Sequence, residues 1–149
     1  MTRTSTQDTM EPATLGASAR TTAGRTHAGA RRTALGRFGE ETAARWLAGQ
    51  GYRVVARNWR GVDGELDLVA EHGGWWVGVE VKTRSGLGYG DPLEAITPRK
   101  LRRLHRLTRQ WWNESPLTER TDRWRVDAVA VLVPPGGGVR VDLVQDVRP

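Results

Sequence analysis

Two stretches of the chain carry the apolar and polar periodicity of β-strands, residues 64–70 (Gly64-Glu65-Leu66-Asp67-Leu68-Val69-Ala70) and residues 75–84 (Trp75-Trp76-Val77-Gly78-Val79-Glu80-Val81-Lys82-Thr83-Arg84). The connection Glu71-His72-Gly73-Gly74 is short and ends in two glycines, which predicts an antiparallel hairpin. Side chains alternate across a strand, so Val77, Val79 and Val81 share one face and Trp76, Gly78, Glu80, Lys82 and Arg84 the other. In the first strand the same rule sets Leu66 and Leu68 opposite Glu65, Asp67 and Val69.

The rest of the pattern reads around this hairpin. Residues 33–49 have helical apolar spacing through Leu35, Phe38, Ala43, Ala44, Trp46 and Leu47, with Thr33 able to cap the start and Gly49-Gln50-Gly51 the end. Glu40 falls on or beside that buried stripe, where it can pair with Arg37 or Arg57. Residues 52–59 read as a strand, with Tyr52, Val54 and Ala56 alternating against Arg53, Val55 and Arg57. Residues 86–92 form a glycine-rich loop without a phosphate-binding fingerprint, and Tyr89 is free there to stack or to pack. Thr97-Pro98 starts a helix running to about Trp112 or Asn113, with Leu101, Leu104, Thr108 and Trp111 inward. A loop covers residues 113–122. Residues 124–133 form a strand, residues 134–138 a turn, and residues 139–144 a last strand at a sheet edge. Trp46, Trp111 and Trp124 are expected in the core, with one of Trp75 and Trp76 exposed. Helix, three strands, helix and two strands make an α/β sandwich with a mixed central sheet flanked by helices.

The hairpin carries ionisable groups at mid-strand. Such charges are costly to bury unless paired or bound to a cation. Asp67 and Glu80 could meet across the hairpin and hold a divalent cation through oxygen ligands, with Lys82 pointing the same way. The plainer alternative is a Glu80–Lys82 salt bridge on a solvated face, with Asp67 exposed. Glu65 shares the face of Asp67 and competes for the role of the acid.

An Asp, a short connection and then E-x-K on a hairpin resembles the active site of PD-(D/E)XK nucleases. The wider run, with Gly36-x-x-x-Glu40, Ala43, Gly51-Tyr52, Asn58, Gly90 and Lys100, resembles the YraN family of small bacterial proteins (uncharacterised protein family 0102) from about Thr33 to Val147. Arg125-Val126-Asp127 matches that family's Arg-Phe-Asp only in part. The resemblance implies a restriction-endonuclease-like αβββαβ core and Mg²⁺- or Mn²⁺-dependent endonuclease chemistry on DNA. Asp67, Glu80 and the Val81 carbonyl would be the metal ligands. Lys82 would orient water or neutralise the phosphate, and Glu40 would complete the shell as the acid from the first helix. Lys100 matches a family position near the site. Resolvase-like enzymes cut two strands, often as homodimers, although no interface is legible in the sequence.

Composition narrows the classes. At 149 residues the chain is long enough for one domain with a core. It has no cysteine, and His27, His72 and His105 lack ligand spacing, so disulfides and a zinc site are not expected. No apolar run reaches bilayer length and no signal-peptide core follows Met1, from which a cytoplasmic location is expected. The net charge is +6, which favours polyanionic partners such as nucleic acid. Of the 23 basic residues only Lys82 and Lys100 are lysines, compact point charges rather than planar forks. Arg99, Lys100, Arg102, Arg103, Arg106 and Arg109 repel one another along the second helix, a repulsion that a phosphate backbone would relieve. Residues 1–32 are Thr-, Ala-, Gly- and Arg-rich and are expected to be a disordered basic tail, with Met10 an alternative start; residues 33–149 are expected to be a single endonuclease-like domain. A non-catalytic nucleic-acid-binding protein that keeps this fold is the alternative function, and a protein–protein adaptor is the third.

Overall fold

The computed structural model describes residues 2–8, 26–86, 90–115 and 123–149, with the backbone alone for 6–8 and 26–32. In chain order the elements are β1 (Arg3–Asp8), α1 (Thr26–Gly49), β2 (Arg53–Gly61), β3 (Gly64–His72), β4 (Trp75–Arg84), a short 3-10 helix (Pro92–Ala95), α2 (Pro98–Glu114), β5 (Trp124–Leu132) and β6 (Val139–Val144). The strands form one mixed sheet in the order β1-β6-β5-β4-β3-β2. From α1 to β5 the succession is αβββαβ, the α/β core expected from the sequence.

Local chemistry explains the hairpins. Gly73 and Gly74, at φ +58° and +80°, turn β3 into β4 as a two-residue loop whose twist matches the strands. Tight turns can join only antiparallel strands. The parallel β4–β5 pair therefore needs a crossover, which α2 supplies. Thr97 caps α2 by accepting the Lys100 backbone N–H at 3.1 Å, and Pro98 takes the first helical position.

The two faces of the sheet carry separate cores. On the α1 side, Leu47 of the helix packs with Leu68, Val77, Val79, Val81, Val129 and Val131; on the α2 side, Leu101, Leu104 and Leu107 of the helix pack with Leu66, Val69, Trp76 and Val126. The predicted alternation of β4 holds: its odd-numbered valines face α1, and Trp76 and Glu80 face α2. Glycines let both helices approach this strand. An added Cβ would stand 1.8 Å from Thr83 Oγ1 at Gly39, and 2.0 Å from Thr108 Oγ1 at Gly78.

Several expectations are corrected. Leu66 and Leu68 lie in opposite cores, because opposite Asp67 the neighbouring strand passes through Asn58 in the left-handed region, φ +49°. A bulge between Val54 and Ala56 likewise breaks the alternation of β2, so Ala56 joins Val55 on the α2 side. Helix α1 begins at Thr26, so Thr33 is not its cap. The basic tail is not wholly without structure. Arg3–Asp8 forms β1 on β6, held by Arg3 to Asp91 at 3.0 Å and by Ser5 to Asp142, while residues 9–25 lie outside those described. For the same reason β6 is not an edge. Pro92–Ala95 continues the glycine loop as a 3-10 helix under an Asp91 cap, and Tyr89 lies outside the described residues. Trp76 is buried, and Trp75 is half-buried beneath the guanidinium groups of Arg123 and Arg125.

At the start of β5 a buried ion pair is fully satisfied. Asp127 accepts from Tyr52 Oη at 2.8 Å, from Arg125 Nε at 2.9 Å and from the Asp146 backbone N–H at 2.9 Å. Burial, followed by the charge of Asp127, pushes the Tyr52 hydroxyl up to about 12. The Arg-Val-Asp run therefore ties β5, β6 and the end of α1 together, and every oxygen is used. Gly78→Ala should cost about 1–3 kcal/mol of stability, since the methyl would overlap Thr108 in a packed core, as read from the urea midpoint.

Candidate active site

Regular pairing of β3 with β4 ends at Leu68–Val79. Beyond that point the side chain of Asp67 replaces the backbone, and its Oδ2 accepts the Val81 N–H at 2.8 Å. The Trp76 N–H bonds to the Arg123 carbonyl, and the Arg84 carbonyl accepts from Val133, so even-numbered residues of β4 direct their backbone groups toward β5. Val81 therefore turns both its N–H and its carbonyl toward β3, on the edge where Asp67 stands.

Glu80 projects toward α2 and is 6% exposed. Lys100, one turn into α2, brings Nζ to 2.5 Å from Glu80 Oε1, and Lys82 Nζ lies 3.7 Å from the same oxygen. The Asp67 and Glu80 carboxyl groups are near enough to interact, and Asp67 is pushed up to about 7 by burial first and by the charge of Glu80 second. Lys82 is held below the usual lysine range by its hydrogen bond with Lys100 and by burial. Lys100 is raised: burial opposes its charge, but the bond to Glu80 and the other favourable contacts outweigh that. Glu40 is raised by burial, against a hydrogen bond from Asn58 that favours its charged form. Both expected partners of Glu40 need revision. Arg57 pairs with Glu41 at 2.5 Å, and Arg37 acts on Glu40 only through its charge.

The structure thus brings Asp67, Glu80, Lys82 and Lys100 into contact around the Val81 edge. The competing acid, Glu65, is exposed and stands 3.8 Å from Arg60. Glu40 approaches from α1 across an open groove of about 610 Å³, whose walls include Leu35, Gly36, Lys82, Arg84 and Ser85. Among the described residues, no three His, Asp or Glu side chains form a group that could hold a metal ion by themselves. The available donor set is two carboxylates and one strand carbonyl, all hard oxygens. It suits Mg²⁺, which is commonly bound through one or two carboxylates and keeps several waters. One of the two carboxyls holds its proton to about neutral pH, and a bound cation would displace that proton.

The basic residues of α2 divide by face. Arg99, Arg102, Arg103, Arg106 and Arg109 are exposed and recur at three- and four-residue intervals along one stripe, whereas Lys100 turns inward. Arg106 bonds Asp63 at 2.7 Å; Arg99, Arg102 and Arg109 make no ion pair among the described residues. The sequence pattern alone does not mark Arg84, Leu35 and Gly36 as site residues. Their meeting depends on where α1 crosses the end of β4, which no local pattern encodes.

The chain matches the model of the Uncharacterised protein family UPF0102 over residues 39–131. It is 52% identical over 111 residues to a UPF0102 protein of Clavibacter michiganensis subsp. michiganensis, covering 74% of this chain and 92% of that one. Against a UPF0102 protein of Beutenbergia cavernae it is 50% identical over 114 residues, covering 76% of this chain and 95% of that one. A UPF0102 protein of Rhodococcus opacus is 46% identical over 113 residues, with 76% and 94% covered. The matched span includes every residue of the Asp67–Glu80–Lys82–Lys100 cluster.

The raised Asp67 carboxyl sets a pH dependence for the metal-free protein. Its folded value, about 7, lies above the ordinary 3.8, so the folded chain retains a proton that the unfolded chain releases between those values. Stability from this group is therefore full below about pH 4, falls as pH rises through 7, and then levels. Asp67→Asn keeps an acceptor for the Val81 N–H and removes the titration. In chelator it should exceed the parent protein by roughly 1–3 kcal/mol at pH 8, with the difference vanishing near pH 4 in urea titrations.

Proposed function

The chain belongs to the Uncharacterised protein family UPF0102, and from that premise we propose that it is a Mg²⁺- or Mn²⁺-dependent endonuclease of the PD-(D/E)XK type. Its substrate is DNA, with branched and single-stranded forms the first to test. The observation that carries this reading is the contact of Asp67 with Glu80 beside the Val81 edge, under two lysines. When bound by Asp67, Glu80 and the Val81 carbonyl, the metal would supply Lewis acidity to a phosphate oxygen and lower the pKa of its water.

The chain's own residues would do the rest. Lys82, on the groove side of Glu80, is positioned to orient the attacking water or to balance charge gathering on the phosphate. Lys100 neutralises Glu80 from the α2 side and fixes its rotamer. Glu40 faces the groove, where it can hold a water of the metal shell through its own carboxylate. The arginine stripe of α2 would bind the phosphate backbone without reading bases. No described helix is long and apolar enough to cross a membrane, and the reading includes action on DNA in the bacterial cytoplasm. Cutting two strands of a branched substrate would use a homodimer, which light scattering with and without DNA would detect.

One observation favours a second reading. The Lys100 ammonium already occupies a Glu80 oxygen at 2.5 Å, so the cluster could be a self-neutralised support in a nucleic-acid-binding protein without catalysis.

Calorimetry separates the two. The nuclease reading expects Mn²⁺ heats in the parent protein that vanish in Asp67→Ala/Glu80→Ala, followed by metal-dependent cleavage of at least one substrate in a DNA and RNA panel. Metal-independent binding that survives the double substitution, with every substrate intact, would establish the second reading. Under either reading, Arg102→Gln/Arg103→Gln should weaken binding uniformly across sequences. It should also flatten the log Kd against log salt plot by about 0.7–0.9 for each phosphate that the variant no longer neutralises.

A further inference from the structure

We propose that the groove between α1 and the end of β4 seats the sugar-phosphate backbone of a single nucleic-acid strand, with Gly36 as the part of its wall that lets that backbone approach. This rests on the nucleic-acid reading above and adds to it a second contact surface, distinct from the arginine stripe of α2.

Contacts among the described residues do not explain the glycine at position 36. Gly36 lies in the interior of α1, which starts at Thr26, and glycine is the poorest helix former apart from proline. Gly39 and Gly78 are required by close approach to Thr83 and Thr108. At Gly36 an added Cβ would meet nothing within 4 Å among the described residues, and φ is not in the left-handed region. Neither the fold nor the backbone conformation therefore calls for glycine there. What lies beside it is the groove of about 610 Å³, one helical turn from Glu40 and facing the C-terminal end of β4. A side chain at 36 would project into that space.

Two cations against the one carboxyl of Glu40 give the walls a net positive balance, with a partly apolar frame. Lys82 and Arg84 bring positive charge, Ser85 a hydroxyl, and Leu35 an apolar surface for a sugar or base. Arg84 makes no ion pair among the described residues. Its guanidinium and the Lys82 ammonium line the same groove, so an anion seated there would meet two positive charges. The groove's lining also includes Val81, whose N–H is held by Asp67, so the groove adjoins the strand that carries the acid pair. The volume falls in the range of ligand clefts, ~300–1,000 Å³.

The test measures stability and binding on the same variants. Gly36→Ala and Gly36→Leu are compared with the parent protein by thermal melting and by anisotropy of a fluorescein-labelled single-stranded oligonucleotide, in Ca²⁺ to suppress cleavage. The expected result is a split. Gly36→Ala melts about 2–4 °C higher because the helix gains a better former. Gly36→Leu melts no lower than the parent yet binds the oligonucleotide about tenfold more weakly, with Gly36→Ala between them. Unchanged affinity in both variants, while Arg102→Gln/Arg103→Gln still weakens binding, overturns the groove and leaves the nucleic-acid reading standing. A lower melting temperature in Gly36→Ala overturns it too, by showing that packing does require the glycine. Failure of the parent protein to bind any oligonucleotide sinks the nucleic-acid reading itself.

Discussion

One hydrogen bond organises the site: the Val81 N–H to the carboxylate of Asp67. In a regular antiparallel ladder a backbone carbonyl of β3 would take that donor. Here pairing stops at Leu68–Val79, and an ionisable side chain takes the next position. The substitution keeps a buried donor satisfied while opening the sheet by one carbonyl. It also forces Asp67 against Glu80, because Glu80 is the residue just before the donor. The left-handed Asn58 on β2 belongs to the same departure, since it lets β2 follow β3 away from β4 while its side chain reaches Glu40.

Two buried acid–base clusters in this sheet obey the same electrostatics with opposite outcomes. Around Asp127 every carboxylate oxygen has donors from Tyr52, Arg125 or the backbone, and the pair welds β5 to its neighbours. Around Asp67 the donors fall short. One backbone N–H and a shared carboxyl contact leave the acid holding a proton to about neutral pH, and the two lysines crowd Glu80 instead. Saturated networks give rigidity, whereas undersupplied ones retain capacity for a further cation or proton. This contrast, more than the spacing of E-x-K, distinguishes the Asp67 cluster from the Asp127 pair.

Much of this is readable from residue order. Period two across residues 75–84 locates Glu80 and Lys82 on the face that meets α2, and Thr97-Pro98 fixes the phase of α2 so that Lys100 turns inward while the arginines turn out. What is not readable depends on irregular backbone or distant contacts. Period two puts Leu66 and Leu68 on one face, because nothing local to β3 announces that Asn58, on another strand, sits at φ +49°. Arg3–Asp8 lacks a strand-like apolar pattern; its place comes from an edge of β6 and from Asp91 and Asp142, far along the chain. The groove beside Gly36 likewise exists only once α1 has crossed β4.

The pairing of β1 with β6 has a consequence for the order in which the molecule can be assembled. β6 is translated after everything between the two strands, so β1 leaves the ribosome long before its partner exists. During that interval the core sheet can close, since β2 to β5 need no residue of β1. The sheet is then finished by a segment made early and docked last. Its anchors, Arg3 and Ser5, grip Asp142 on the newest strand and Asp91 beside the loop after β4. The last strand made is thus covered along its outer edge by the first.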